Sequence, residues 1–531
     1  MKRLGGSIFM YDLLIKDGMI VDGTGKMPYC GDVAVKDGKI AECGGSIPAE
    51  ACRPGGLIRA DGRYVSPGFI DIHCHADSVI FRHPDFPAQK LHQGLTTIIN
   101  GNCGLSIVPA GGPYESEIRK FLEPVTGSVP KDLPISSYKE YCDAVKELNL
   151  PIHTGMLIGN GTICASVCGY GAGQPGSEEI KKMHAALEDA LAGGAPGVSL
   201  GLGYAPECHY TTETLIQLLE PMRGAGVPLI THIRGEGDSI HKALREVVSI
   251  AGALGVPLHV SHLKTMGKRN WGEGMIHALE ILDRARDEGI DTACDFYPYR
   301  AGSTQLINVL PKDVQENGLP GLMNALQSPA EREKITEALR HPNDSFENIV
   351  ELAGWENILV TSVRSEENKK YCGMNMEEIA QRRGQDPYSC AYDMLLEENC
   401  EVSMVDFYGS EEDICRVLQY PYSNVISDST YPDEGILHPR LFGAFARILE
   451  KYVREDQKIS LAEAVKKMTS MPAGVLGLPG KGRLLAGKDA DILVFDLNKI
   501  HAGADFITPC VLSKGFYKVI VDGKVQLEDE E

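Results

Sequence analysis

Two kinds of apolar pattern divide this chain. At each end, short runs of β-forming residues are separated by turn signals. LLIK (13–16), MIVD (19–22), DVAV (32–35), KIAE (39–42) and LIRA (57–60) occupy the first 65 residues, punctuated by Asp17-Gly18, Asp37-Gly38 and Asp61-Gly62. Asp-Gly supplies the positive φ of a tight turn, so each marks an expected hairpin. The C-terminus has the same style, with ADILVFDL (490–497) and YKVIVDGKVQL (517–527) around Asp522-Gly523. Strands from the two ends can meet in one sheet, leaving the middle as a separate layer.

The middle alternates apolar β-type runs with amphipathic helices. Eight candidate strands follow in order: 68–73, 96–100, 152–159, 197–202, 228–233, 257–262, 290–296 and 424–428. Helical spacing of apolar residues, at three and four residue steps, marks 178–194, 212–226, 239–255 and 274–289, and most of these end at a Gly suited to a helix C-terminus. Eight β-α units favour a (β/α)8 barrel over an open doubly wound sheet. The last two strands lie about 130 residues apart, a gap expected to hold an insertion of the lid type. The expected division is a β-sandwich from 1–66 and 479–531, and a catalytic barrel over 67–478 with an insertion at about 301–370.

Composition narrows the class. The 531 residues carry 52 Lys and Arg against 73 Asp and Glu, a net charge of −21, which disfavours nucleic acid or an anionic membrane as partner. Fifteen Cys without regular pairing point to reduced thiols and a cytoplasmic setting. No apolar run reaches the ~20 residues that span a bilayer.

Barrel chemistry gathers where strands end. The first strand ends Asp71-Ile72-His73-Cys74-His75. Residues two apart on a strand share a face, so His73 and His75 have the spacing of two ligands on one metal. The second strand runs into Gly101-Asn102-Cys103-Gly104. A thiol among glycines can approach a metal closely and is a good zinc ligand once ionised, against the plainer reading of a small buried apolar residue. The fifth and sixth strands end in His232 and His262. Either alone could be structural; together with His73 and His75 they form a repeated pattern. Asp428 closes the eighth strand and, in a closed barrel, sits beside His73, where a carboxylate can take a proton from water and pass it on. Lys264, Tyr297, Tyr299 and Arg440 lie at neighbouring positions, with snorkelling or core packing as their alternative. His184, His241 and His277 fall on helix patterns and read as outer-layer residues.

This set resembles the amidohydrolase superfamily. More narrowly, Gly101-Asn102-Cys103-Gly104, Thr231-His232-Ile233-Arg234, Ser261-His262-Leu263-Lys264, Tyr297-Pro298-Tyr299 and His438-Pro439-Arg440 resemble the D-aminoacylase (N-acyl-D-amino-acid deacylase) family over essentially the whole chain. The resemblance implies Zn2+ in a tight site of Cys103, His232 and His262, and a weaker second site of His73, His75 and Asp428, with Cys103 bridging. The bridging Lys of related amidohydrolases has no counterpart in the fourth strand, GVSLGL. Ser429 stands where the family often has Gly, which bears on the conformation of the Asp428 loop. The resemblance also implies that Lys264, Arg440 and either Tyr297 or Tyr299 hold a substrate carboxylate. The implied reaction is hydrolysis of a small-molecule N-acyl-D-amino acid, with Asp428 as the proton-transfer residue. The D preference follows from the resemblance alone. Competing readings are a dipeptidase for substrates ending in a D residue, a cyclic-amide hydrolase of the hydantoinase or dihydropyrimidinase type, and an inactive scaffold.

Overall fold

The computed structural model describes residues 10–316, 318–341 and 346–529. Residues 1–9 and 530–531, the outer ends of the expected sandwich, lie outside the described residues. Eight parallel strand segments form the barrel wall: Phe69–Asp71, Leu95–Asn100, His153–Met156 continuing as Ile158–Gly159, Val198–Gly201, Leu229–His232, Leu258–Val260, Thr292–Phe296 and Ser423–Val425. The third strand bonds both neighbours, through Leu157 N to Asn100 O (2.9 Å) and Ile158 N to Gly197 O (3.1 Å). The first and eighth strands meet through the Cys74–Ser429 bridge and the Asp428 N to His73 O bond of 2.9 Å. These bonds close the ring, as the eight-unit pattern predicted.

The outer helices follow their apolar stripes. Ile240–Leu254 buries Ala243, Leu244, Val247, Ile250 and Ala251, and stops at Gly255 in the left-handed region (φ +70°). Each fully buried Leu, Ile or Val in such a stripe contributes roughly 1.5–3 kcal/mol of transfer free energy. The helix expected at 212–226 is shorter, Thr212–Leu218, followed by a single 3-10 turn at Glu220–Met222. Pro221 explains the break, since it lacks an N–H and its ring clashes with the preceding turn.

Both termini build one mixed eight-stranded sheet around the long strand Leu13–Ile20. Strand alternation splits its residues between two cores. Ile492 and Val494 join Leu13, Val33, Ile58 and Ile520 in a small separate core, while Leu493 and Phe495 face the barrel. Two of the expected hairpins form, at Asp37-Gly38 and Asp522-Gly523, where all four residues have positive φ. The other two do not. Asp17-Gly18 lies inside Leu13–Ile20 as an irregularity in its pairing. Asp32 accepts the Asp17 N–H (2.8 Å) there, and a Cβ at Gly18 would overlap the Val65 side chain. Asp61-Gly62 joins Leu57–Arg59 to Tyr64–Pro67, and both strands run parallel to Leu13–Ile20.

After the seventh strand the chain leaves the barrel. Ala301–Gln305, Ile358–Ser362 and Ser403–Phe407 form an antiparallel sheet with Ser403–Phe407 in the centre. Helices around it enclose their own apolar cluster, including Leu306, Leu326, Ile358, Met394 and Met404. The excursion expected to end near 370 therefore continues through its central strand, Ser403–Phe407, and the Tyr408 that follows it, because that strand arrives last.

Candidate metal centre and substrate cavity

The strand ends bring the sequence-selected donors into one buried cluster. His73, His75, Cys103, His262 and Asp428 are all under a tenth exposed. Cys103 Sγ lies 3.3 Å from His73 Nε2 and 3.5 Å from His262 Nε2. His262 Nε2 lies 3.0 Å from His232 Nδ1. Asp428 Oδ1 lies 3.4 Å from His73 Nε2 and 3.5 Å from His75 Nε2. His262 is thus the hub of the expected tight set, and Asp428 of the expected second set.

Three of these residues need unusual backbone. Cys103, His262 and Asp428 have φ of +56°, +36° and +48°. L-residues rarely occupy this region, and such strain persists where surrounding structure over-determines it. The Cys103 loop also needs a bare neighbour, since a Cβ at Gly201 would overlap the Cys103 carbonyl. The end of the fourth strand thus supplies the space into which the Cys103 loop fits.

Burial opposes every charge here, so each retained charge needs a partner. Burial pushes the Cys103 thiol up, but the His73 and His262 imidazoles prevail and hold it well below the usual thiol range. Burial likewise opposes the Asp428 carboxylate, and Arg440 and His73 hold it well below its usual range. His73 is raised well above the ordinary imidazole value by Cys103 and Asp428, against burial. The donor set fits a thiophilic divalent cation: one thiolate, four imidazoles and one carboxylate, with His73, Cys103 and His262 offering atoms all within 4.8 Å of one another, and His73, His75 and Asp428 likewise. His75 Nδ1 has no hydrogen-bond partner among the described residues.

Glu236 was not legible in the sequence. It follows His232 in the loop after the fifth strand, and its Oε1 lies 2.9 Å from His262 Nδ1 and 2.6 Å from Lys264 Nζ. Burial would raise its pKa, but Lys264, His262 and His232 bring it down to about 2. Glu236 therefore orients one candidate ligand and one candidate substrate cation together. The only signal was an acidic residue four positions after a strand-end His. Asp295, on the seventh strand, plays a similar part: its Oδ2 lies 2.9 Å from His259 Nε2 and 3.7 Å from His73 Nδ1, and its other oxygen accepts the His262 N–H.

A cavity opens above the cluster, lined by Lys264, Tyr297, Arg440, Asp406 and Tyr408 as well as the donors. Lys264 and Arg440 are already engaged, Lys264 with Glu236 and Arg440 Nη1 with Asp428 Oδ2 at 2.7 Å. Of the two tyrosines, Tyr297 lines the cavity and bonds the Tyr408 hydroxyl. Tyr299 points elsewhere, its hydroxyl 3.4 Å from the Pro439 carbonyl and its ring edge-on to His438. Asp406 and Tyr408 come from the insertion, whose contact with the barrel no local pattern announces. Burial pushes the Asp406 carboxyl up to about 7. His184 and His241 donate their Nε2–H to the Gln217 and Gly274 carbonyls on the outer layer, as their helix positions predicted.

A model of the amidohydrolase family matches residues 433–526. Over 96% of this chain and 93% of the relative, the sequence is 31% identical to an N-acyl-D-glutamate deacylase of Alcaligenes xylosoxydans xylosoxydans. A D-aminoacylase of the same organism is 31% identical, covering 97% of this chain and 94% of the relative. Among solved structures, an N-acyl-D-glutamate deacylase from Bordetella bronchiseptica, complexed with zinc and a phosphonate mimic of the tetrahedral intermediate, superposes with a TM-score of 0.82 at 29% identity, covering 98% of each chain.

Proposed function

Since the chain belongs to the D-aminoacylase family of amidohydrolases, we propose that it is a zinc-dependent deacylase, hydrolysing N-acyl-D-amino acids to a free D-amino acid and a carboxylic acid. The observation that carries this reading is the placement of Asp428 between the buried Cys103–histidine cluster and the Lys264–Tyr297–Arg440 wall of one cavity. Cys103, His232 and His262 would hold one zinc, with His73, His75 and Asp428 available to a second. Bound zinc supplies a Lewis acid that polarises the amide carbonyl and acidifies water.

The chain's own residues do the rest. Asp428, ionised and buried, accepts the proton of the attacking water and returns it to the leaving nitrogen, without which C–N cleavage would be slow. Lys264, Arg440 and the Tyr297 hydroxyl receive the α-carboxylate, Arg440 as a planar fork and Lys264 as a point charge. Glu236 keeps Lys264 directed at the cavity. With carboxylate and amide both fixed, only one enantiomer directs its side chain into free space. The excursion supplies Tyr408 and Asp406 to the cavity wall.

We further propose the division into a terminal sandwich (1–66 with 479–531) and a barrel (67–478), and a cytoplasmic location. All fifteen cysteines are free thiols, and no described helix is long and apolar enough to cross a membrane.

The test is free-amine release from paired N-acetyl-D- and N-acetyl-L-amino acids by zinc-replete protein. Release from D substrates alone is expected. Release from L substrates would overturn the stereochemistry. No release from either, with zinc bound, would overturn the deacylase reading in favour of dipeptides or cyclic amides.

A further inference from the structure

Behind Asp428, away from the cavity, lies a polar cluster that the reaction above does not use. Asp71 ends the first strand and is fully buried. Its Oδ1 accepts the N–H groups of His73 (3.3 Å) and Ser427 (3.1 Å), and its Oδ2 accepts the Ser427 hydroxyl. Lys90, on the short helix Phe86–Leu91, is also fully buried. Its Nζ donates to the Ser429 hydroxyl at 2.9 Å and lies 3.7 Å from Asp71 Oδ2. Cys74 and Tyr431 also touch the Ser429 hydroxyl, both at 3.1 Å, and the Ser427 hydroxyl lies 3.0 Å from it.

The geometry has one common object. Ser427 and Ser429 flank Asp428, and each is tied to this cluster by its side chain, while Asp428 between them holds a left-handed backbone (φ +48°). Extended backbone at that residue would swing its carboxylate away from His73, His75 and Arg440. A conformation that costs free energy persists only if its neighbours are fixed. A buried ion pair is, moreover, a poor source of stability, since desolvating two charges offsets their attraction. Placing Lys90 there makes sense if it specifies a conformation.

We propose that the buried Asp71–Lys90 pair is a positioning device for Asp428, holding its left-handed backbone through Ser427 and Ser429 and so aiming its carboxylate into the site. The catalytic consequence rests on the deacylase reading above; the effect on the second cation site does not. It also accounts for a Ser at 429, which supplies the hydroxyl that Lys90 grips.

The test compares wild-type protein with Asp71→Asn, Lys90→Met and the double variant that removes both charges. On an N-acetyl-D-amino acid that the wild type cleaves, each is expected to lose about 10- to 100-fold in kcat with KM within about threefold, while one zinc per chain is retained. Calorimetric titration of Zn2+ into the one-zinc protein is expected to show a second-site affinity about 10-fold weaker or more. The double variant should melt close to the wild type, since it leaves no unpaired buried charge. Wild-type kcat and second-site affinity in a folded double variant would overturn the proposal. So would loss of kcat and of the tight zinc together, which would mark the pair as general support. If the single variants do not fold, Ser427→Ala and Ser429→Ala carry the same expectation. Failure of the wild type to cleave any N-acyl-D-amino acid would defeat the deacylase reading and leave the titration to decide the positioning role.

Discussion

Arg440 Nη1 and Asp428 Oδ2 form an ion pair at 2.7 Å, with the Arg440 side chain almost completely buried. The residue expected to hold substrate is thereby also the main partner of the residue expected to move the proton. Arg440 contributes most to holding the Asp428 carboxyl low, against burial. Arg440→Ala should therefore raise KM by about 10-fold or more and also lower kcat by about 10- to 100-fold, because it removes the main partner of a buried carboxylate. Steady-state kinetics on one D substrate check this. A change in KM alone would show that the pair opens before catalysis.

Asp428→Asn should lower kcat by roughly 100- to 10,000-fold, the usual contribution of a positioned proton-transfer group. One zinc per chain should remain, since Cys103, His232 and His262 are untouched. Metal analysis beside the kinetics checks both halves. Loss of all zinc would make ligation the main role of Asp428.

Cys103→Ser tests the thiolate at the centre of the cluster, 3.3 Å from His73 and 3.5 Å from His262. A serine hydroxyl at neutral pH is a far weaker donor to zinc than a thiolate. Tight-site affinity should fall by roughly 100-fold or more, with activity restored only at high metal concentration. Competition with a chelator of known affinity gives the number. Unchanged affinity would remove Cys103 from the ligand set.

The two tyrosines separate in space, and their variants should separate in kinetics. Tyr297→Phe removes a hydroxyl that lines the cavity and should raise KM by about 10-fold, the value of one hydrogen bond to a charged group. Tyr299→Phe removes a long contact with Pro439 O and should leave kcat/KM within about twofold. Equal effects would contradict this division.

In the terminal sheet, Asp32 is a structural hub. It accepts Lys16 Nζ at 2.7 Å and the N–H groups of Asp17 and Ile47 at 2.8 and 2.6 Å. Burial alone would raise its pKa, but the Ile47 amide, Lys16 and the Asp17 amide bring it below the ordinary Asp value of 3.8. A carboxyl depressed in the folded state adds stability that is complete above its unfolded value and is lost as pH falls through the folded one. Asp32→Ala should cost about 3 kcal/mol at pH 7. The wild-type advantage should shrink as pH falls below 3.8. Urea melts at several pH values check it; a constant difference down to the acid end would refute the linkage.

Much of the architecture was legible because it is local. A barrel strand buried on both faces reads as a continuous apolar run, a surface helix as a stripe, and the rule that chemistry sits at strand ends then selected His73, His75, Cys103, His232, His262 and Asp428. Local signals also misled where a distant contact decided the outcome. Asp17-Gly18 has the residues of a hairpin turn, yet Asp32 and Val65 make it an irregularity within one strand.

The amino-acid sequence by itself determined the period of each element, the donors at the strand ends and the absence of a strand-four Lys, since these depend on residue type and short spacing. Only the tertiary structure decided which of Tyr297 and Tyr299 faces the cavity, that Glu236 serves both His262 and Lys264, that the insertion returns Asp406 and Tyr408 to the site, and that Lys90 reaches Ser429 across 339 positions. These pairings are set by where rigid elements bring side chains together in a dry interior. There, burial makes each unpaired charge costly, so the choice of partner follows from three-dimensional proximity, which one-dimensional spacing does not encode.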